Sequence, residues 1–77
     1  QEGPRQTLYH RLTKREKQVL KLVAQGESNK AVASQLGITE HTVKLHVHNL
    51  VNKIGVSNRT AAASFYFEVA GQPERSG

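Results

Sequence analysis

Side chains with binding chemistry are concentrated in the stretch HTVKLHVHNL, which covers residues 41–50. At about 100° per residue, a helix here places Val43 and Val47 on one apolar stripe and Leu45 on the opposite face. The neighbours of Leu45 on that face supply hydrogen-bond donors and positive charge. They are His41, Lys44 and His48. An apolar side chain in such a position either contacts a partner or is ordinary exposed surface.

The histidines of this stretch raise the question of a metal site. His41 and His48 are seven residues apart, about 10 Å along a helix axis, which is too far for two ligands of one tetrahedral ion. His46 points away from both. The chain has no cysteine, and its acidic residues include no aspartate that could complete a coordination shell. We therefore expect no metal and no other cofactor.

The composition favours a small basic domain that is not an enzyme. Eleven lysines and arginines stand against six acidic residues, a net charge of +5. Such a charge attracts polyanions, although many small domains are basic only for solubility. Glu16 and Glu40 have simpler roles at helix starts, and no Gly-rich phosphate loop is present, so we expect neither catalysis nor a small-molecule ligand. No stretch is apolar enough for a membrane span or signal peptide, which favours a cytoplasmic protein without membrane contact.

Capping residues and glycines predict an all-α fold, a four-helix bundle. Thr13 and Glu16 match a capping box, and a glycine follows each predicted helix. The predicted helices cover about 14–25, 29–36, 40–54 and 58–70, with Thr13, Ser28, Thr39 and Ser57 as N-caps and Gly71 after the last. Residues 12–71 are the predicted domain, residues 1–11 a linker or tag remnant, and residues 72–77 a flexible tail.

The junction between predicted helices 29–36 and 40–54 matches a helix-turn-helix. Ala33 is small enough to let the two helices cross closely, and Gly37 accepts the positive φ of a tight turn. Val43 fills the gap between the helices. In this motif the second helix lies on the outside of the domain, where it can enter the major groove of DNA. The alternative is an ordinary corner between two helices of a small bundle.

The sequence also resembles the C-terminal DNA-binding domain of the LuxR/NarL/FixJ family of bacterial transcription regulators. The segments LTKRE, AQGESNKAVASQLGIT, TVKLHV and KIGVSNRTAA occur in the order and spacing of that family. The resemblance implies a four-helix domain whose third helix reads double-stranded DNA and whose fourth pairs with a second copy. It further implies the output domain of a response regulator in a two-component system, with a receiver or sensing domain before it and residues 1–11 as the interdomain linker.

The resemblance gives roles to residues of the helix-turn-helix. Lys44, Leu45 and His48 match the positions from which the family contacts base edges, and His41 shares their face. A lysine can donate to guanine, and an apolar side chain can pack on the thymine methyl group. Phosphate contacts are expected from residues at helix N-termini, where free N–H groups and the helix dipole favour anions. These residues are Asn29, Lys30, Thr39 and Thr42.

The last predicted helix is apolar nearly all round. Ala62, Phe65 and Val69 lie on one side, which is enough for burial in a small monomer. A second apolar side implies deeper burial or a partner, and the family resemblance favours a homodimer on an inverted-repeat operator. The residues of the expected interface are Ala63, Tyr66, Phe67 and Ala70.

Two other functions compete with DNA reading. A sigma-factor-like helical module could act mainly through protein contacts with RNA polymerase, because the same helix pair serves both purposes. RNA binding fits less well, since the aromatic residues fall on the last helix and do not alternate with the basic face. The sequence leaves open whether Arg59 binds a neighbouring helix end or a phosphate.

Overall fold

The computed structural model describes residues 3–70, which form five helices and no strand. The all-α prediction is thereby confirmed. In chain order the helices are α1 (Pro4–His10), α2 (Lys14–Ala24), α3 (Asn29–Leu36), α4 (Glu40–Ile54) and α5 (Arg59–Ala70). Helices α2 to α5 correspond to the four predicted helices. Gly71 and the predicted tail lie outside the described residues.

The predicted caps of α2, α3 and α4 are confirmed. The hydroxyl oxygen of Thr13 accepts from the N–H of Glu16 at 3.1 Å, and the Glu16 carboxylate accepts from the N–H of Thr13 at 2.9 Å. This reciprocal pair is the expected capping box. Ser28 and Thr39 cap α3 and α4 in the same position.

The cap predicted for the last helix is wrong by one residue. The side-chain oxygen of Asn58 accepts from the N–H of Ala61 at 2.8 Å, so Asn58 is the N-cap of α5, and not Ser57. Serine and asparagine are nearly equal as N-caps, so residue type could not decide between adjacent positions. The helix consequently begins at Arg59.

Helix α1 is an addition to the predicted architecture. Pro4 occupies its first turn, where the missing N–H costs nothing. Leu8 and Tyr9 pack against the core, and the side-chain amide of Gln6 donates to the carbonyl of Val69 at 3.1 Å. A seven-residue helix is too short to be stable alone, so these tertiary contacts hold it. The interpretation of residues 1–11 as a linker remains a prediction.

One hydrophobic core supports the helix-turn-helix pair. Helix α4 contributes Val43, Leu50 and Ile54, each with 4% or less of its surface exposed. Helices α2, α3 and α5 surround them. The remaining core residues are Leu12, Val19, Leu20, Val23, Val32, Ala33, Ala62, Phe65 and Val69. The buried stripe of α4 thus fixes which of its faces points outward.

Candidate nucleic-acid interface

The outward face of α4 is open along its length. Lys44, Leu45 and His48 are all exposed, as is His41 one turn earlier. Leu45 retains 49% of its accessible surface, and it is one of only two large apolar side chains between residues 3 and 70 to do so. Because Val43 is fully buried on the opposite side, rotation of the helix cannot hide this face. The four residues predicted to contact bases are therefore brought together on one accessible surface.

The turn before α4 has the geometry expected of a helix-turn-helix. Gly37 ends α3 with φ of +70°, in the left-handed region that side chains disfavour. The N–H of Ile38 then donates to the carbonyl of Ala33 at 3.0 Å, closing the end of α3. Ala33 is 5% exposed, which fits a close crossing of α3 and α4. Three residues are enough to connect the two helices.

Two threonine hydroxyls stand at the N-terminus of α4. The oxygen of Thr39 accepts from the N–H of Thr42 at 3.1 Å, and the two hydroxyl oxygens are 3.0 Å apart. One hydroxyl donates to the other, so the second retains a proton that it can donate outward. Thr39 is exposed and Thr42 half-buried. The pair combines a capping role with a free donor beside the outward face of α4.

The N-terminus of α3 presents the ammonium group of Lys30 and the side-chain amide of Asn29. Lys30 is exposed and forms no ion pair with any residue from 3 to 70. The side-chain oxygen of Asn29 accepts from Nη1 of Arg59 at 2.6 Å, and Nη2 of Arg59 donates to the carbonyl of Glu27 at 2.6 Å. Arg59 therefore binds the start of a neighbouring helix, which answers the question that the sequence left open.

Asn52 extends the outward face of α4 and was missed by the sequence analysis. It lies four residues after His48, and its Nδ2 is 3.3 Å from Nε2 of that histidine. The two polar side chains therefore interact along the outward face of α4. The signal available in the sequence was the i, i+4 spacing of two polar residues on one helix face.

The residues predicted to form a dimer interface differ in accessibility. Phe67 is the most open, with 58% of its surface exposed. Tyr66 and Ala70 already pack partly against the core, and Ala63 is half-buried. Tyr66 also lies near Tyr9 of α1, and burial, followed by the electrostatic effect of Tyr66, raises the pKa of the Tyr9 hydroxyl. On the described surface, Phe67 is thus the residue most available to a second copy.

Positive charge is distributed unevenly around α4. Nζ of Lys53, near the C-terminal end, lies 2.8 Å from the carboxylate of Glu16. Lys44, on the outward face, has no such carboxylate partner within the part of the chain that the structure describes. Lys44 and Lys30 thus carry positive charge beside the outward face that no carboxylate among residues 3–70 neutralises.

No group of three or more histidine or carboxylate side chains among residues 3–70 lies in an arrangement that could hold a metal ion. None of the helices that the structure describes combines the length and the apolar character needed to cross a membrane.

A close helix pair joined by a glycine turn, with the polar face of the second helix outward, defines a helix-turn-helix domain. Comparison with known proteins agrees with this class. The model of the family described as "Bacterial regulatory proteins, luxR family" matches residues 10–66. The chain therefore belongs to the luxR family of bacterial regulatory proteins. It is the DNA-binding domain of a transcriptional regulator and not an enzyme.

Three relatives show how far the similarity extends. The chain is 51% identical over 65 residues to a transcriptional regulatory protein, YhcZ, of Bacillus subtilis, covering 84% of this chain and 30% of the relative. It is 48% identical over 60 residues to the nitrate/nitrite response regulator NarP of Escherichia coli, covering 78% and 28%. It is 45% identical over 64 residues to the response regulator VraR of Staphylococcus aureus, covering 83% and 31%. The chain spans less than a third of the length of these relatives.

Proposed function

We propose that this domain reads specific sequences of double-stranded DNA with α4 in the major groove. One observation carries the proposal: α4 buries Val43 and Leu50 completely while Leu45 stays half exposed between polar neighbours. A helix anchored on one side and open on the other matches the way recognition helices enter the groove. The base contacts come from Lys44, Leu45, His48 and His41.

Phosphate contacts flank the recognition helix in this proposal. Lys30 supplies a positive charge that forms no ion pair among residues 3–70, and Asn29 stands beside it at the start of α3. Thr39 and Thr42 supply a hydroxyl donor at the start of α4. Contacts of this kind orient the domain on the duplex without reading its sequence. The N–H groups and dipoles of both helices add to the attraction.

A homodimer on an inverted repeat completes the proposal. Phe67 is a large apolar side chain exposed on α5, and Ala63 beside it is small enough for close helix approach. Because a two-fold interface pairs the same patch from both copies, the two recognition helices would face half-sites of opposite orientation. Tyr66 and Ala70 would contribute at the edge, since each is already partly packed.

In its parent protein, we propose, the domain is the output module of a two-component response regulator. Relatives named as response regulators, NarP and VraR, match it over about three quarters or more of its length. A receiver or sensing domain would precede it, and RNA polymerase is a further partner on the promoter. Action on chromosomal DNA places this function in the cytoplasm.

Selection from a pool of random duplexes tests the proposed function most directly. The 77-residue chain should enrich one inverted repeat. In a gel shift on the enriched duplex, Lys44→Ala should weaken binding, whereas Lys14→Ala, on the exposed side of α2, should not. If no sequence is enriched and polymerase is retained equally by both variants, the sigma-factor-like alternative, acting through protein contacts, replaces DNA reading.

A further inference from the structure

Arg59 occupies a position that its own helix does not favour. It is the first residue of α5, where the helix dipole is positive and a cation is destabilising. Its side chain is half-buried, so it is not simply solvated. Both terminal nitrogens instead donate hydrogen bonds at the start of α3, one to the side chain of Asn29 and one to the carbonyl of Glu27. Each donor–acceptor distance is 2.6 Å. The reason for an arginine at this position therefore lies in α3 and not in α5.

The contact with Asn29 fixes which end of the asparagine amide faces outward. A guanidinium only donates hydrogen bonds, so the amide atom that it meets must be the oxygen. Oδ1 of Asn29 accordingly faces Arg59. The amide nitrogen, which carries two donor hydrogens, then points elsewhere, and no hydrogen bond engages it within residues 3–70. Without the guanidinium, the amide could turn and present its oxygen instead.

The second terminal nitrogen of Arg59, Nη2, restricts the movement of α3 relative to α5. It donates to the main-chain carbonyl of Glu27, immediately before the capping residue Ser28. A planar fork that meets both a side chain and the backbone fixes the distance and the rotation between the start of α3 and the start of α5. A lysine, with a single ammonium, could not reproduce two hydrogen bonds of defined direction.

We infer that Arg59 is a positioning residue for DNA binding: it holds the Asn29 amide with its donor end toward a backbone phosphate. This inference rests on the proposed function, in which Asn29 is a phosphate contact. Arg59 does not touch the phosphate itself. Because it belongs to α5, it also ties the phosphate contact of each copy to the helix through which the copies are proposed to pair.

A double-mutant cycle on DNA affinity tests the inference. Asn29→Ala and Arg59→Ala should each weaken binding of the selected duplex about tenfold or more, the usual loss for one hydrogen bond to a charged group. If Arg59 acts through Asn29, the double variant should bind no more weakly than the weaker single variant. Losses that multiply would overturn the inference. Arg11→Ala, an exposed arginine at the end of α1, is the matched control and should bind as the wild type does.

Two conservative variants separate positioning from charge and from folding. Arg59→Lys keeps the positive charge, yet it should weaken binding nearly as much as Arg59→Ala; wild-type affinity would overturn the inference. Asn29→Asp keeps the acceptor for Arg59 and should preserve the melting temperature, but it removes the donor and should weaken binding at least as much as Asn29→Ala. Wild-type affinity in this variant would equally overturn the inference, even if Arg59→Ala does not fold.

Different results would contradict the proposed DNA reading and the positioning role of Arg59. If the wild-type chain enriches no duplex, the proposed DNA reading fails before Arg59 is considered. If the wild type binds its duplex tightly but the losses of Asn29→Ala and Arg59→Ala are independent, only the positioning role of Arg59 fails.

Discussion

Nζ of Lys53, on the last turn of α4, lies 2.8 Å from Oε1 of Glu16 on the first turn of α2. The same carboxylate oxygen accepts from the N–H of Thr13 at 2.9 Å. Glu16 thus completes the capping box of α2 and joins that helix to α4 through an ion pair. Its side chain is 5% exposed, so this link lies at the edge of the core and not in open solvent.

The Glu16 link predicts a loss of stability in acid. Burial disfavours the charged form, but the hydrogen bonds from Lys53 and Thr13, together with the charge of Lys53, outweigh it and lower the pKa of Glu16 below its ordinary value of 4.5. A carboxylate with a lowered pKa stabilises the fold fully above the pKa of the unfolded chain. That contribution is lost as the pH falls through the lower pKa of the folded protein. We expect the free energy of unfolding to decline below about pH 4.5.

Chemical unfolding of Glu16→Gln between pH 7 and pH 3 checks this prediction. Glutamine retains the capping hydrogen bonds but loses the ion pair, so stability at pH 7 should fall by about 1 kcal/mol. Its decline in acid should be shallower than that of the wild type. Glu40→Gln, an exposed carboxylate in the first turn of α4, should retain the steeper wild-type decline. If the free energy of unfolding falls equally steeply with pH in the wild type and in Glu16→Gln, the loss of stability in acid does not come from Glu16.

Leu45→Ala should alter the base preference of the domain without altering its stability. The side chain is half exposed, so its truncation should change the free energy of unfolding by no more than about 0.5 kcal/mol. In a groove it would pack on a thymine methyl group, and discrimination at that base pair should decrease by about 1 kcal/mol or more. Repeating the duplex selection measures the change. An identical selected sequence would show that Leu45 does not contact bases.

Lys30→Ala should reduce the salt dependence of binding uniformly. Each neutralised phosphate contributes about 0.9 to the slope of log affinity against log salt. Loss of Lys30 should therefore lower that slope by about 1 per copy, on selected and random duplexes alike. The matched control is Lys21→Ala, an exposed lysine on α2. Equal slopes for the two variants would remove Lys30 from the phosphate contacts.

Phe67→Ser should weaken pairing of two copies on DNA. Phe67 is the most exposed large apolar side chain of the described residues, and aromatic residues of this kind often dominate interface energies. Sedimentation with the selected inverted repeat should give two copies per duplex for the wild type and predominantly one for the variant at the same concentration. Lys14→Ala, an exposed lysine on α2, should still give two copies per duplex. Two copies of Phe67→Ser per duplex would place the interface elsewhere.

Local rules explain why most of the fold could be predicted. The capping box at Thr13, the left-handed glycines at positions 37 and 55, and the buried stripe of α4 depend on residues within one or two helical turns of each other. The outward face of α4 followed directly, because the residues opposite a buried stripe must be exposed. Lys44, Leu45 and His48 were placed on the exposed face of α4 by this argument, and the structure shows them exposed.

Long-range contacts explain what could not be predicted. Helix α1 is stabilised by α5, through Gln6 and Val69, which are 63 residues apart in sequence. Arg59 meets Asn29 across 30 residues, and Lys53 meets Glu16 across 37. Nothing in the neighbourhood of these residues shows which distant partner each will find. The direction of the Asn29 amide likewise depends on a distant residue, Arg59, and could not be predicted from the sequence.

Helix α2 packs more extensively against α5 than against any other helix, and Phe65 and Val69 of α5 are 5% and 4% exposed in the core. The ribosome releases α4 before α5. Helix α4 therefore emerges while α5, which completes the core, is still being synthesised. Small domains fold as cooperative units. If α4 reads DNA as proposed, a nascent chain arrested before α5 should not bind the selected duplex, because the core that orients α4 is complete only once α5 has been translated.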